Sequence, residues 1–119
     1  MGAAVKDRTF LICPVRGHDP EETRWIVQRL ELEYIVHWPP RDTNQEDPTG
    51  FRICTDNLNA IKKADVIHVI WDGISTGCLF DLGMAFALGK TVVPIEMPEP
   101  TEGKSFQNMV NEWAGRADS

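Results

Sequence analysis

A chain of 119 residues, 42% apolar and 25% charged, has the make-up of one globular domain over 1–119 and leaves no material for a second core. Its formal net charge of -6 argues against gripping a nucleic-acid polymer, where a basic face is expected. A small anionic ligand remains compatible, because a few local donors outweigh a weak global field.

After a short polar tail, "TFLIC" (Thr9 to Cys13) is an apolar run of strand length stopped by Pro14. Asp19, Pro20 and two glutamates then form a helix start, and Trp25, Ile26, Arg29 and Leu30 recur at helical spacing. "YIVHW" predicts a second strand, closed by Pro39 and Pro40, and the polar "RDTNQEDPTG" predicts a loop. Ile53, Leu58 and Ile61 predict a helix from about Phe51 to Ala64, followed by a third strand in "DVIHVIW". Ser75 or Thr76 is placed to cap a helix running to Leu88, with Gly89 as its stop. "TVVPI" predicts a fourth strand, in which Pro94 points to an edge position, and a last helix is expected from about Lys104 to Gly115.

This alternation predicts an α/β fold, a flavodoxin/Rossmann-like three-layer sandwich with a mainly parallel sheet of four or five strands. In such sheets ligands bind beyond the carboxyl ends of the strands, near the switch in strand order. Three loops are therefore of interest: Pro14 to Asp19, Pro39 to Gly50, and Asp72 to Cys78.

Gly83, Gly89, Lys90 and Thr91 superficially resemble a phosphate-binding G-x-x-x-x-G-K-[ST] loop, but five residues rather than four separate the glycines. Lys90 and Thr91 also stand between a helix end and a strand start, the reverse of the required order, so an NTPase is excluded. Lys90 is expected to complement the dipole of the helix it follows. The proper anion site of this unit lies one helix earlier, in "WDGISTGCLFD", where Ser75, Thr76 and Gly77 present amides and hydroxyls at a helix start. An ordinary Ser/Thr cap with glycine for turn geometry accounts for the same letters.

Asp81 lies one turn into that helix and shares a face with Cys78 and Ala85, small neighbours that would leave a carboxylate open at a crevice floor. Leu79, Leu82 and Phe86 form another face, expected to pack on the sheet. A carboxylate so placed can attack or stabilise an anomeric carbon, and it can equally be simple dipole complementation.

"FLICPVRG", "NLNAIKKADVIHV" and "STGCLFDLGMAFALGKTVV" together resemble the nucleoside 2-deoxyribosyltransferase superfamily, including its 2'-deoxynucleoside 5'-monophosphate N-glycosidase branch, over about Thr9 to Glu96. The third segment is similar to the S-x-G-x-x-[FY]-E-L-G-x-A-x-x-x-G-K-P block of that superfamily, which carries its nucleophilic carboxylate. The resemblance implies Asp81 as nucleophile, and Arg16, Gly17, Ser75 and Gly77 at phosphate-binding positions. It also implies a tail, "SFQNMV", whose Asn108 can reach a neighbouring subunit's site. The implied activity is cleavage or exchange of the N-glycosidic bond of a nucleoside or nucleoside 5'-monophosphate, by a homodimer or larger assembly.

Departures from the pattern are specific. Asp81 replaces the usual glutamate and is one methylene shorter; Asn57, with Asp56 beside it, replaces an aspartate; Phe10 and Cys13 stand where tyrosine and glycine are common. Asparagine hydrogen-bonds but is neither acid nor base. These changes support the alternative of a nucleotide-binding or sensor module without turnover. A phosphoacceptor domain would need an acidic cluster at the strand ends, and Asp72 alone does not supply one.

Other residues near the crevice carry weaker readings. Asp72 or Asp56 could orient sugar hydroxyls, His18 could touch ligand beside Arg16, and Arg41, Asp42 and Gln45 could select a base or ribose hydroxyl. Trp38 and Trp71 end strands and could stack on a base, whereas His37 and His68 read as satisfied strand histidines. Cys78, at a helix start, could have a lowered pKa. The three cysteines Cys13, Cys54 and Cys78 form neither a disulfide framework nor a metal set, and no cofactor is expected. No leader-like segment and no apolar run of about 18 residues occurs, which predicts a cytoplasmic protein with a small-molecule partner and no membrane contact.

Overall fold

The computed structural model describes residues 5–15 and 20–116. Four strands, β1 (Asp7–Ile12), β2 (Tyr34–His37), β3 (Val66–Ile70) and β4 (Val92–Glu96), form one all-parallel sheet in the order β2-β1-β3-β4. The helices are α1 (Pro20–Leu30), α2 (Pro39–Asp42), α3 (Phe51–Lys63), α4 (Thr76–Ala87) and α5 (Phe106–Arg116). The fold is thus a three-layer Rossmann-like sandwich. Among the described residues no helix is long and apolar enough to cross a membrane.

The strands read as continuous apolar runs because both faces are covered, as parallel sheets require. On one face Leu11, Cys13, Val36, Trp38 and Ile70 pack with Ile26 and Val27 of α1. On the other, Phe10, Ile12, Ile67, Val69 and Val92 meet Ile61 of α3, Leu82 and Ala85 of α4 and Val110 of α5. The chain leaves β1 in one direction for β2 and then crosses back over β1 to β3. The switch in strand order therefore lies between the carboxyl ends of β1 and β3.

β4 is an edge strand, as Pro94 predicts, and it is irregular there. Val69 pairs with Pro94 and Ile70 with Glu96, so Ile95 is an extra residue opposite the shift. Gly89 ends α4 with φ +68°, a left-handed conformation that suits a residue without Cβ. Gly83 lies in mid-α4 and Lys90 between α4 and β4, which removes any phosphate loop. Lys90 does not serve its own helix: its Nζ donates to the carbonyls of Lys62 (2.9 Å) and Ala64 (2.8 Å) at the end of α3.

Three packing expectations are corrected. Phe86 is exposed rather than turned to the sheet, and it meets Trp113 of α5 edge-on at 5.2 Å. In its place Cys78 and Ala85 face the core with Leu82, because the apolar stripe of α4 is rotated by about one residue from the expected one. Trp25 is also exposed, lying under Arg29, while Thr23, Ile26 and Val27 form the buried stripe of α1. The segment after Pro39 begins with a helical turn, α2, that the polar composition had concealed.

Candidate functional site

A cleft of about 440 Å³ opens at the carboxyl ends of β1 and β3, where the topology places it. The loop after β1 contributes Cys13 and Pro14, α3 contributes Cys54 and Asn57, and the start of α4 contributes Ser75 to Cys78 and Asp81. Phe80 and Ile74, both largely exposed, stand at its mouth.

The strand-to-helix turn on the β3 side is built around Asp72. Its Oδ1 accepts the amides of Ile74 (2.9 Å) and Ser75 (2.8 Å), and its Oδ2 accepts the Ser75 hydroxyl (2.9 Å). These bonds hold its carboxyl below the ordinary value against the opposing effect of burial. Trp71 secures the same turn by donating Nε1 to the Ser75 carbonyl at 3.1 Å. Asp72 is therefore a builder of the turn and does not line the cleft, contrary to its expected role toward sugar hydroxyls. Because the Ser75 hydroxyl is turned to Asp72, α4 starts without a side-chain cap. The first-turn amides, which have no intrahelical acceptor, are left at the cleft wall beside Thr76 and Gly77. Among the described residues, a Cβ added at Gly77 would meet no atom within 4 Å beyond its own helix, so the space above that glycine is open to a ligand.

Asp81 lines the floor. Burial pushes its carboxyl up to about 7, only partly countered by the neighbouring Asn57 side chain. Asn57 is itself buried, and its Oδ1 accepts the Thr43 hydroxyl at 2.8 Å. Thr43 Oγ1 in turn lies 2.8 Å from His37 Nε2. The structure thus brings together Asp81, Asn57, Ser75 and Gly77 of the expected site residues.

Others are placed elsewhere. Asp56 lines a separate groove with Arg8 and Lys63 and pairs with Arg52 at 2.7 Å. Asn108 stabilises the loop before α5, donating to the carbonyls of Thr101 (2.6 Å) and Gly103 (2.7 Å) and accepting the Thr101 amide (3.0 Å). Arg41 is committed to Asp42 at 2.8 Å, to the Val36 carbonyl and to Glu31, so neither Arg41 nor Asp42 is free to read a ligand. Gln45 does line the cleft, its amide held by the Pro39 and Thr43 carbonyls. Arg16, Gly17 and His18 lie outside the described residues.

Trp38 and Trp71 are buried and do not offer a stacking face; the exposed ring at the mouth belongs to Phe80. The cysteine expectation also reverses. Cys78 is pushed up to about 12 by burial, and Cys13 likewise, so the helix start does not activate a thiol here. All three cysteines nevertheless converge on this cleft, which their wide sequence spacing concealed. Among the described residues no group of three His, Cys, Asp or Glu is placed to hold a metal ion.

No protein-family model matches the sequence, and no curated protein matches it significantly.

Proposed function

We propose that this protein cleaves the N-glycosidic bond of a nucleoside 5'-monophosphate, with hydrolysis favoured over base exchange. The observation that carries the proposal is the position of Asp81, a carboxylate on the floor of a switch-point cleft and facing the same space as the uncapped start of α4. The motif resemblance points to the same two features. Ionised Asp81 would attack C1' of the sugar as the C1'–N bond breaks and its electron pair leaves with the base. Water would then attack C1' and free the carboxylate, with retention at the anomeric carbon. The departing base takes its proton from solvent, since Asn57 is no acid and the cleft thiols hold their protons too tightly. The amides of Thr76 and Gly77 would face the 5'-phosphate, and Phe80 would cover the base.

A carboxyl titrating near 7 is about half ionised at neutral pH. Base release should therefore increase with pH through that value. A second reading, a nucleotide-binding module without turnover, is favoured by the short arm of Asp81 and by the lack of a general acid among the described cleft residues.

A homodimer or higher assembly in a reducing, cytoplasmic setting belongs to the proposal. Ile74 and Phe80 expose large apolar surfaces at the cleft and Phe51 does so at the start of α3, and the three thiols are free. Sedimentation of the wild type against Phe80→Glu tests the assembly.

The deciding experiment incubates the protein with nucleosides and their 5'-monophosphates and follows free base by chromatography, with Asp81→Ala as control. Release from monophosphates that vanishes in the control supports the glycosidase. Calorimetric binding without release supports the module instead.

A further inference from the structure

Thr43 and His37 lie off the cleft lining, yet a hydrogen-bonded path runs from them to Asn57, which shares that lining with Asp81. It passes from β2 through the turn after α2 to α3, whose Asn57 faces the cleft beside Asp81 of α4. The Thr43 hydroxyl has one proton and gives it to Asn57 Oδ1. It must then accept from His37, which fixes the His37 proton on Nε2. With its oxygen so occupied, Asn57 has only its NH₂ end for Asp81. Both bonds of the path thus donate toward the cleft and leave the Asn57 amide nitrogens on the side of the carboxylate.

The same four residues can satisfy one another in the opposite sense. A protonated Asp81 would donate to a flipped Asn57, whose NH₂ would donate to Thr43, whose hydroxyl would donate to a bare His37 Nε2. The two senses correspond to ionised and protonated Asp81, and they differ in the tautomer of His37. Protonated His37 has no acceptor and permits only the first.

We propose that Thr43 and His37 are positioning residues that select which end of Asn57 faces Asp81, and so hold Asp81 in its ionised, attacking form. The inference rests on Asp81 being the working group of the cleft. Thr43 and Asn57 are each more than nine-tenths buried, so water competes poorly for these bonds. His37 is fixed by stacking on Phe10 of β1 at 5.3 Å and 10°. The charged groups that face it are Asp42 and Arg41 of α2 and Asp56 of α3; burial lowers its pKa from the ordinary value.

The test follows the Asp81 carboxyl carbon by NMR titration, assigned through its loss in Asp81→Asn. It compares wild type, Thr43→Val and Thr43→Ser. The expected result is an upward shift of the midpoint by about one unit in Thr43→Val and recovery in Thr43→Ser. Equal midpoints in all three folded proteins, or the same shift in both variants, would overturn the proposal. Should Thr43→Val not fold, nitrogen shifts of His37 in the wild type at pH 8.5 decide instead: the Nε2–H tautomer is expected, and Nδ1–H overturns the idea. In base-release assays Thr43→Val should lose about tenfold at pH 6 and recover toward pH 9, where Asp81 is ionised in any case. Absence of base release from every protein would sink the glycosidase reading, while the titration would still decide this one.

Discussion

Asn57 of α3 and Asp81 of α4 share the floor of the cleft, and the Asn57 side chain lowers the Asp81 carboxyl against the larger, raising effect of burial. An aspartate at position 57 would face the carboxylate with a like charge, and its only answer would be for one of the two to bind a proton. Asparagine avoids that conflict and leaves burial as the main influence on Asp81.

The first consequence concerns stability. The Asp81 carboxyl rises from 3.8 to about 7, so the folded protein holds a proton that the unfolded chain releases. Stability should accordingly fall as pH rises from about 4 to about 7, then level off. Asp81→Asn removes this loss. The variant should gain on the order of 4 kcal/mol in urea unfolding at pH 8 and almost nothing at pH 4. A gain independent of pH would show that Asp81 is not held neutral by burial.

Histidines act in the other direction. His37 and His68 are both lowered by burial, and His68 Nδ1 lies 2.6 Å from the Thr9 hydroxyl inside the sheet. Their unfolded forms take up protons more readily, so their contribution to stability is lost as pH falls below about 6.5. Ring-proton NMR should place both midpoints below that value. His68→Asn should flatten the decline in melting temperature between pH 6.5 and 5.

Gly77 separates fold from ligand. Among the described residues no atom outside its own helix occupies the space above it, and alanine suits a helix better than glycine. Gly77→Ala should therefore stabilise the protein by about 0.5–1 kcal/mol. At the same time it should weaken nucleoside 5'-monophosphate binding in calorimetry at least tenfold. Unchanged affinity would remove the α4 start from the ligand site.

Asp72 is expected to matter for folding first and for ligand only through the turn it builds. Asp72→Ala removes three hydrogen bonds of an exposed turn, whose two amides and hydroxyl then turn to water, at a cost of about 0.5–1.5 kcal/mol. Gly73→Ala should add to the damage, since its φ is +81° and a Cβ would come within 3.0 Å of Pro98 Cγ. Denaturant titration of both variants measures the effect.

Much of the fold was legible because apolar runs, prolines and glycines punctuate the strands locally. Pro94 marked the edge strand and Gly89 the end of α4. Asp81, Ser75 and Gly77 were legible as a site because a strand end and a helix start lie next to each other in sequence. What escaped notice depends on distant pairings. Thr43 and His37 reach Asp81 only through Asn57, and Asp72 looked like a ligand group until its own turn claimed its oxygens. Arg41 was absorbed by Asp42 and a carbonyl, a fate that no spacing rule reveals. Cys78 misled because its helix-start position suggests activation, whereas the core side of α4 suppresses it.

Three thiols on one cleft also equip the molecule with a native reporter. Cys13 and Cys78 are sealed and strongly protonated, while Cys54 is only partly covered at the wall. A maleimide dye at mildly alkaline pH should mark Cys54 first, giving a single fluorophore beside Asp81 without any engineering. Its emission and its protection from labelling would then follow occupancy of the cleft in real time, whichever small molecule enters.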